Sequence, residues 1–489
     1  MVDLAMLTTE RAGDAAIGGG VLITGAGMAQ AAATGARLRE TLDPGTAVAL
    51  SGLAYPLHPD QRAGEVVVAT ELRATDGTAT RHLLSAALVA SDLRRLGLPV
   101  RIGPIVSSSS ALSPEQTAEL AADGAIAWDM ESAWLAHQLP DHSFAVVRTI
   151  VDRERDDTAG AAAGDFDLLT SVRLSLERWA RASGPHDVVL ASPRSFCAGV
   201  ERAIEIVERA LARFGGPVYV RRQIVHNMHV VTELETKGAL FVTELDEVPD
   251  GATVVLAAHG VSPAIRAAAA DRADLNVIDA TCPLVANVHH EARRFVAQDY
   301  QIVLVGHAEH EEVIGTVGEA PERIQLVQDA GDVADLPFDD QEQVAYLTQT
   351  TLSTDETADV INALRQRFPR LVGPTTTDIC YATQNRQDAV RVVARHCDLM
   401  LVVGSSNSSN TARLVEVARR EGCRSELIED ASEIDLDWLD HTAVIGVTAG
   451  ASAPETLVAG VIDALRTLGP ATVTEHRTTE ETVQFSLPR

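Results

Sequence analysis

Aromatic residues make up only 4% of this 489-residue chain, and alanine, valine and leucine fill the apolar positions instead. Basic charge is scarce as well. Lys plus Arg number 40 against 69 Asp plus Glu, a formal net charge of −29. That balance argues against non-specific nucleic-acid binding and against a basic membrane-surface role, while leaving room for a local anion site. No apolar run approaches the roughly 18–20 residues of a membrane span, so no membrane partner is expected. The opening stretch MVDLAMLTTERAGDAAIGGG has no basic region ahead of an apolar core, and no secretory signal is expected from it. Cysteine is sparse and odd in number, five in all, with no close CxxC pair. That excludes a disulfide framework and the usual structural zinc pattern, and points to a cytoplasmic protein with reduced thiols.

What is present is enough apolar residue, 46%, to build large cores. At about 150 residues per domain the length implies two to four domains. All five cysteines (Cys197, Cys282, Cys380, Cys397 and Cys423) lie in the C-terminal part. After Val151 comes the charged, small-residue stretch DRERDDTAGAAAGDFD. A helical stretch over 168–182 follows, then the turn cluster SGPHD and a fresh strand-like run, VVLASPRSF. A boundary near residue 184 is therefore expected, with domains over 1–183 and 187–489.

Three cysteines sit in similar settings: CAGVERAIEIV from Cys197, CPLVANVHHEA from Cys282 and CYATQNRQDAV from Cys380. Each follows a turn-rich or β-rich segment and opens a stretch of helical periodicity, with Arg202, Asn287 and Asn385 at the fifth position after the cysteine. This predicts three related α/β units, each placing one Cys at a helix N-terminus. The partial positive charge there favours a thiolate, and three thiolates around one point make a soft-ligand site. Zinc with three Cys and a water remains open. Distant Cys with one position free suit a [4Fe–4S] cluster. Cys397 and Cys423 do not repeat the pattern and read as structural.

Several apolar strand-like runs end in polar clusters. VVLAAHG ends near His259, and IVLVGHAEHEEVIGT carries His307, His310, Glu311 and Glu312. VAYLTQTTLS carries Gln349 and Thr350. LMLVVGSSNSSN carries Ser408, Ser409 and Asn410, VIGVTAGASAPE carries Ser452, and YVRRQIVHN carries His226 and Asn227. Ligands of α/β folds sit beyond the carboxyl ends of parallel strands, so one shared polar pocket is expected. Hydroxyls, amides, imidazoles and helix N-termini suit an anion.

Together these segments, with FCAGV, DATCPLV and the closing VQFSLP, resemble the 4-hydroxy-3-methylbut-2-enyl diphosphate reductase family from about residue 187 to the end. One departure is Ser195 before Phe196, where the family usually has Gly. The resemblance implies a trefoil of three α/β units around a central [4Fe–4S] cluster held by Cys197, Cys282 and Cys380. The free iron would take the C4 hydroxyl of the substrate. His226, His259, His310, Ser408, Ser409, Asn410 and Ser452 would hold the diphosphate. Thr350 would lie near the hydroxyl, and Glu312 would supply protons. Ferredoxin or flavodoxin would deliver electrons. The products would be isopentenyl and dimethylallyl diphosphate, at the end of the methylerythritol phosphate route. An iron–sulfur hydro-lyase, which also uses three Cys and an open iron, is the alternative from another enzyme class.

The first 180 or so residues alternate strand-like and helical runs, so α/β again. The turn from Gly25 to Met28 offers N–H groups that suit a phosphate, and WDMESA sets Glu131 in an apolar context. These features resemble the nucleoside phosphorylase and nucleosidase family. The resemblance implies that Met130 and Glu131 hold a ribose and that Asp152 protonates a leaving base. The alternatives are a domain acting on another ribosyl compound, or an inactive scaffold serving regulation or homo-oligomer formation.

Overall fold

Short, wholly apolar runs set the architecture of the C-terminal part. Every residue of Leu399–Val403 is buried, the pattern of a parallel strand covered on both faces. The computed structural model describes residues 4–8, 21–23, 27–43, 46–151, 165–272, 274–339 and 342–488. It divides into two compact units. One comprises Met1–Val188, Asp430–Ala443 and Gly460–Thr472; the other comprises Val189–Glu429, Val444–Ala459 and Val473–Arg489.

The C-terminal part carries three sheets. The first runs Ala239–Val242, Val218–Arg221, Thr253–Leu256, Asn276–Asp279, all parallel. The second runs Ile324–Val327, Gln301–Val305, Val344–Thr348, again parallel. The third runs Arg424–Ile428, Leu399–Val403, Val444–Ala449, His186–Ser192, Ala471–Arg477, its first three strands parallel. Helices cover the sheets and bury residues such as Val288, Phe295, Leu364 and Leu414. Each sheet leads into one of the three repeated cysteines: the third into Cys197, the first into Cys282, the second into Cys380. Each of these cysteines is the N-cap of a helix: Ala198–Phe214, Pro283–Ala297 and Tyr381–Ala394. The expected trefoil of α/β units is thus present.

The repeat is not carried through at the fifth position. Arg202 is buried, whereas Asn287 is exposed. Ser195 explains why glycine is usual at its position: its φ is 60°, a left-handed conformation that costs a side chain about 1 kcal/mol or more. Its hydroxyl donates to Glu455 Oε2 at 2.6 Å, a bond that glycine could not make.

The N-terminal part is α/β as expected. Its sheet follows the order Val21–Ile23, Leu4–Thr8, Ala47–Pro56, Ala127–Asp129, Val100–Ser107, Val66–Ala74, Thr80–His82. Phe144–Ile150 pairs with both Ala47–Pro56 and Val66–Ala74 and so closes part of the sheet into a ring. Inside it pack Leu50, Leu72, Ile105, Leu135 and Val146.

Candidate active site

Strand ends converge on one cavity. The segments after His186–Ser192, Val218–Arg221, Thr253–Leu256, Asn276–Asp279, Gln301–Val305, Val344–Thr348, Leu399–Val403 and Val444–Ala449 all contribute to its wall. The space measures about 780 Å³ counting solvent at its mouth. Cys197, Cys282 and Cys380 line it, together with His226, His259, His310, Glu312, Thr350, Ser408, Ser409, Asn410 and Ser452. Every C-terminal residue that the resemblance assigned to the site lines it, whereas Asn227, His307, Glu311 and Gln349 of the same strand-end clusters do not.

One glycine makes room beside two of the sulfurs. A Cβ on Gly199 would lie 2.8 Å from Cys282 Sγ and 3.8 Å from Cys197 Sγ, so FCAGV needs Gly at that point. Burial pushes the Cys282 thiol up to about 11 and the Cys380 thiol up to about 12. As thiolates they require a cationic partner. Thr383 supports Cys380, its Oγ1 lying 3.0 Å from the sulfur and its N–H donating to it at 3.2 Å.

Beside the thiols stand three imidazoles. His226 and His259 stack with centroids 4.1 Å apart, and His310 meets both edge-on at 5.5 and 5.9 Å. Burial lowers the proton affinity of all three: His259 lies well below the usual value and His310 falls to about 3. His310 Nδ1 accepts the Glu312 N–H at 3.2 Å, which leaves Nε2 as the donor of a neutral ring. His259 Nε2 is buried without a hydrogen-bond partner. Ser408 caps the helix Ser409–Arg420, and Ser452 Oγ donates to the His226 carbonyl at 2.9 Å. Asn410 Oδ1 accepts the Ala451 N–H at 2.9 Å, and its Nδ2 donates to Thr383 Oγ1 at 3.2 Å. The only lysine of the chain, Lys237, pairs with Glu208 and Glu233, and among the described residues no Lys or Arg lines the cavity.

Glu312 is buried, and Thr350 donates to it from its backbone N–H at 2.7 Å and from Oγ1 at 2.9 Å. Burial raises its carboxyl to about 7 despite these bonds. A carboxyl held there can take or give a proton near neutral pH.

A scan against family models matches residues 188–466 to the LytB protein family. The chain belongs to this family. Among curated relatives, 4-hydroxy-3-methylbut-2-enyl diphosphate reductase 1 of Mycobacterium tuberculosis is 58% identical over 312 residues, covering 63% of this chain and 94% of the relative. The reductase of Mycolicibacterium paratuberculosis is 56% identical over 303 residues, covering 62% and 91%. Among solved structures, the E-1-hydroxy-2-methyl-but-2-enyl-4-diphosphate reductase of Plasmodium falciparum aligns with a TM-score of 0.59 at 38% identity, covering 63% of this chain and 96% of that one. Futalosine hydrolase of Helicobacter pylori aligns over 36% of the chain at 19% identity, with a TM-score of 0.29, a level that transfers neither fold nor activity.

Several polar residues of the LytB part were not expected at the wall. Thr351, Tyr381 and Thr383 line the cavity, as does Phe485 from the closing VQFSLP motif. Tyr381 follows Cys380 directly and Thr383 lies one helical turn on, which is the signal that could have found them. His307 and Glu311, which share a strand end with Glu312, turn elsewhere. His307 Nε2 meets Arg413 at 2.8 Å, and Glu311 pairs with Arg222. Cys423 is buried, with Cys397 packed against the same core.

In the N-terminal part Glu131 is buried, and its Oε1 accepts from Arg148 Nη2 at 2.7 Å. Arg148 also donates to Asp129 at 3.0 Å and to Ser132 Oγ at 2.7 Å. Burial raises the Glu131 carboxyl to about 7, partly offset by Arg148. Met130 packs with Leu57, Val106 and Trp128. Asp152, Gly25 and Ala26 lie outside the described residues.

Proposed function

We propose that the C-terminal part reduces (E)-4-hydroxy-3-methylbut-2-enyl diphosphate to isopentenyl and dimethylallyl diphosphate. The observation that carries this is the meeting of three helix-capping thiols, three imidazoles and the Glu312–Thr350 pair in one cavity. Membership of an iron–sulfur enzyme family supports it.

The donors fit a [4Fe–4S] cluster. Three cysteines lining one cavity suit a polynuclear group in which each sulfur takes its own iron. Cys197, Cys282 and Cys380 would hold it and leave one iron free. When bound, the cluster supplies electrons singly, drawn from a reduced ferredoxin or flavodoxin, and a Lewis-acidic iron.

The chain's own residues do the rest. The Ser409–Arg420 helix terminus, Ser408, Ser409, Asn410 and Ser452 bind the diphosphate on one side. His226, His259 and His310 bind it on the other, His310 through its Nε2 proton. Burial disfavours their imidazolium form, and a bound anion would favour it. Thr350 orients the substrate hydroxyl and relays the Glu312 proton to it, so that oxygen would depart as water, while two electrons from the donor protein and a second proton, taken up at carbon, would complete either product. The apolar members of the wall, Val200, Leu284 and Val285 among them, leave the carbon skeleton unsolvated. Three reduced cysteines imply a reducing compartment, the cytoplasm.

Anaerobic iron and sulfide analysis should find about four of each per chain, with the cluster's electron paramagnetic resonance signal changing when substrate is added. A cluster spectrum indifferent to substrate would count against a reaction at this cavity.

A second reading concerns the N-terminal part. Glu131, titrating near 7 beside the buried Arg148, suits the hydroxyls of a ribosyl compound. Calorimetry with nucleosides, lost in Glu131→Gln, tests it; no binding by the unaltered chain leaves a scaffold that serves regulation or self-association.

A further inference from the structure

The VQFSLP motif plays no part in the chemistry above. Residues 479–488 run without helix or strand. Glu481, Phe485 and Leu487 are half-buried, whereas Thr482, Gln484 and Ser486 are exposed. Phe485 lines the cavity, and Leu487 packs on the core beneath the Cys197 helix. The segment is a strap that turns Glu481, Phe485 and Leu487 inward and leaves Val483 exposed.

Two buried arginines reach it. Arg202 lies on the helix that Cys197 begins and Arg386 on the helix that Cys380 begins; they are 9% and 0% exposed. Arg202 Nη1 donates to the carbonyls of Ala280 and Thr281, both at 3.1 Å, immediately before Cys282. Its Nε donates to the Ser486 carbonyl at 2.9 Å. Arg386 donates to the Ser195 carbonyl at 2.7 and 3.1 Å and to the Phe196 carbonyl at 3.2 Å, immediately before Cys197. Its Nη1 donates to Glu481 Oε1 at 2.9 Å, and Asn385 Nδ2 joins the same oxygen at 3.0 Å.

A guanidinium is a rigid fork, so acceptors on its different edges are fixed relative to one another. Each arginine therefore holds three things in register: its own cysteine's helix, the loop entering the next cysteine, and the strap. We propose that Arg202 and Arg386 are positioning residues that lock the strap against the thiol-lined cavity while setting the loops that carry Cys282 and Cys197. The strap's Phe485 then shields the thiols from solvent and oxygen. The proposal rests on the cluster reading for its purpose and on thiol exposure for its test.

The test uses the full chain freed of iron by chelator under reducing conditions. Iodoacetamide labelling of each cysteine is followed by peptide mass spectrometry, with the buried Cys423 as internal control and circular dichroism confirming the fold. In Glu481→Gln, labelling of Cys197, Cys282 and Cys380 should accelerate about tenfold, the factor expected when one charge-assisted bond no longer opposes local opening, and in Phe485→Ala it should accelerate because the ring no longer covers the cavity. Cys423 should be unchanged. In the iron-loaded chain, Arg386→Lys, which keeps the charge but loses the fork, should shift the cluster's electron paramagnetic resonance spectrum. Equal labelling rates in the unaltered chain and both strap variants would overturn the lock. An unshifted Arg386→Lys spectrum would overturn the positioning role. Faster labelling in a chain that binds no iron would uphold the strap and remove the cluster reading instead.

Discussion

Thr350 grips Glu312 twice, donating from its backbone N–H and from its hydroxyl, so one residue holds both carboxylate oxygens of the buried acid. These bonds favour the ionised form, and burial outweighs them, leaving the carboxyl at about 7. Glu312 is thus protonated below that pH and ionised above it. Turnover should fall as pH rises through about 7. Glu312→Gln keeps an acceptor for Thr350 but has no proton to give. Its kcat should drop about 10²–10⁴-fold with little change in KM, and the alkaline limb should vanish. Steady-state kinetics across pH checks both, and near-unaltered turnover would remove Glu312 from the mechanism.

The imidazole trio predicts proton uptake on binding. Burial and mutual repulsion hold His259 and His310 neutral, and a diphosphate would raise their proton affinity. Affinity for inorganic diphosphate should therefore strengthen as pH falls from 8 toward 6, by up to about tenfold per proton taken up per pH unit. Calorimetry in buffers of different ionisation enthalpy measures that uptake, which should shrink in His259→Phe.

Gly199→Ala should separate packing from ligand chemistry. The added methyl would press on Cys282 Sγ while leaving every thiol in place. Overpacking of this kind costs about 1–3 kcal/mol, so the chain should still fold. Iron content per chain should fall sharply, and full loading would show that the wall can yield.

Arg148→Met should weaken the N-terminal unit by about 3–5 kcal/mol, because Asp129 and Glu131 would be left buried without their cation. Urea unfolding followed by tryptophan fluorescence reports this directly, since Trp128 adjoins the site. Adding Glu131→Gln should recover part of the loss.

Much of this site was legible in the sequence because its parts are local. A cysteine between a turn and a helical period reads as a helix cap, and Cys197, Cys282 and Cys380 are caps. A polar cluster after an apolar run reads as a strand end, and parallel strands bring such ends together. Relations across long separations were not legible. Arg148 reaches Glu131 only because Phe144–Ile150 closes the ring. The matching fifth positions suggested equivalent roles for Arg202, Asn287 and Asn385, yet Arg202 and Asn385 hold the strap while Asn287 faces solvent. Glu311 and Glu312 are neighbours of one chemical type, and only helix geometry sends one to Arg222 and the other to Thr350. The departure at Ser195 was visible, but not that its φ of 60° places it where a side chain is strained.

Anaerobic turnover of the purified, iron-loaded chain with 4-hydroxy-3-methylbut-2-enyl diphosphate and a strong one-electron reductant tests the central claim most directly. The account predicts formation of both isopentenyl and dimethylallyl diphosphate, abolished in Cys282→Ser. No five-carbon product from a chain whose cluster is intact by iron content and spectroscopy would contradict it, and turnover of a hydroxylated substrate without reductant would mark a hydro-lyase instead.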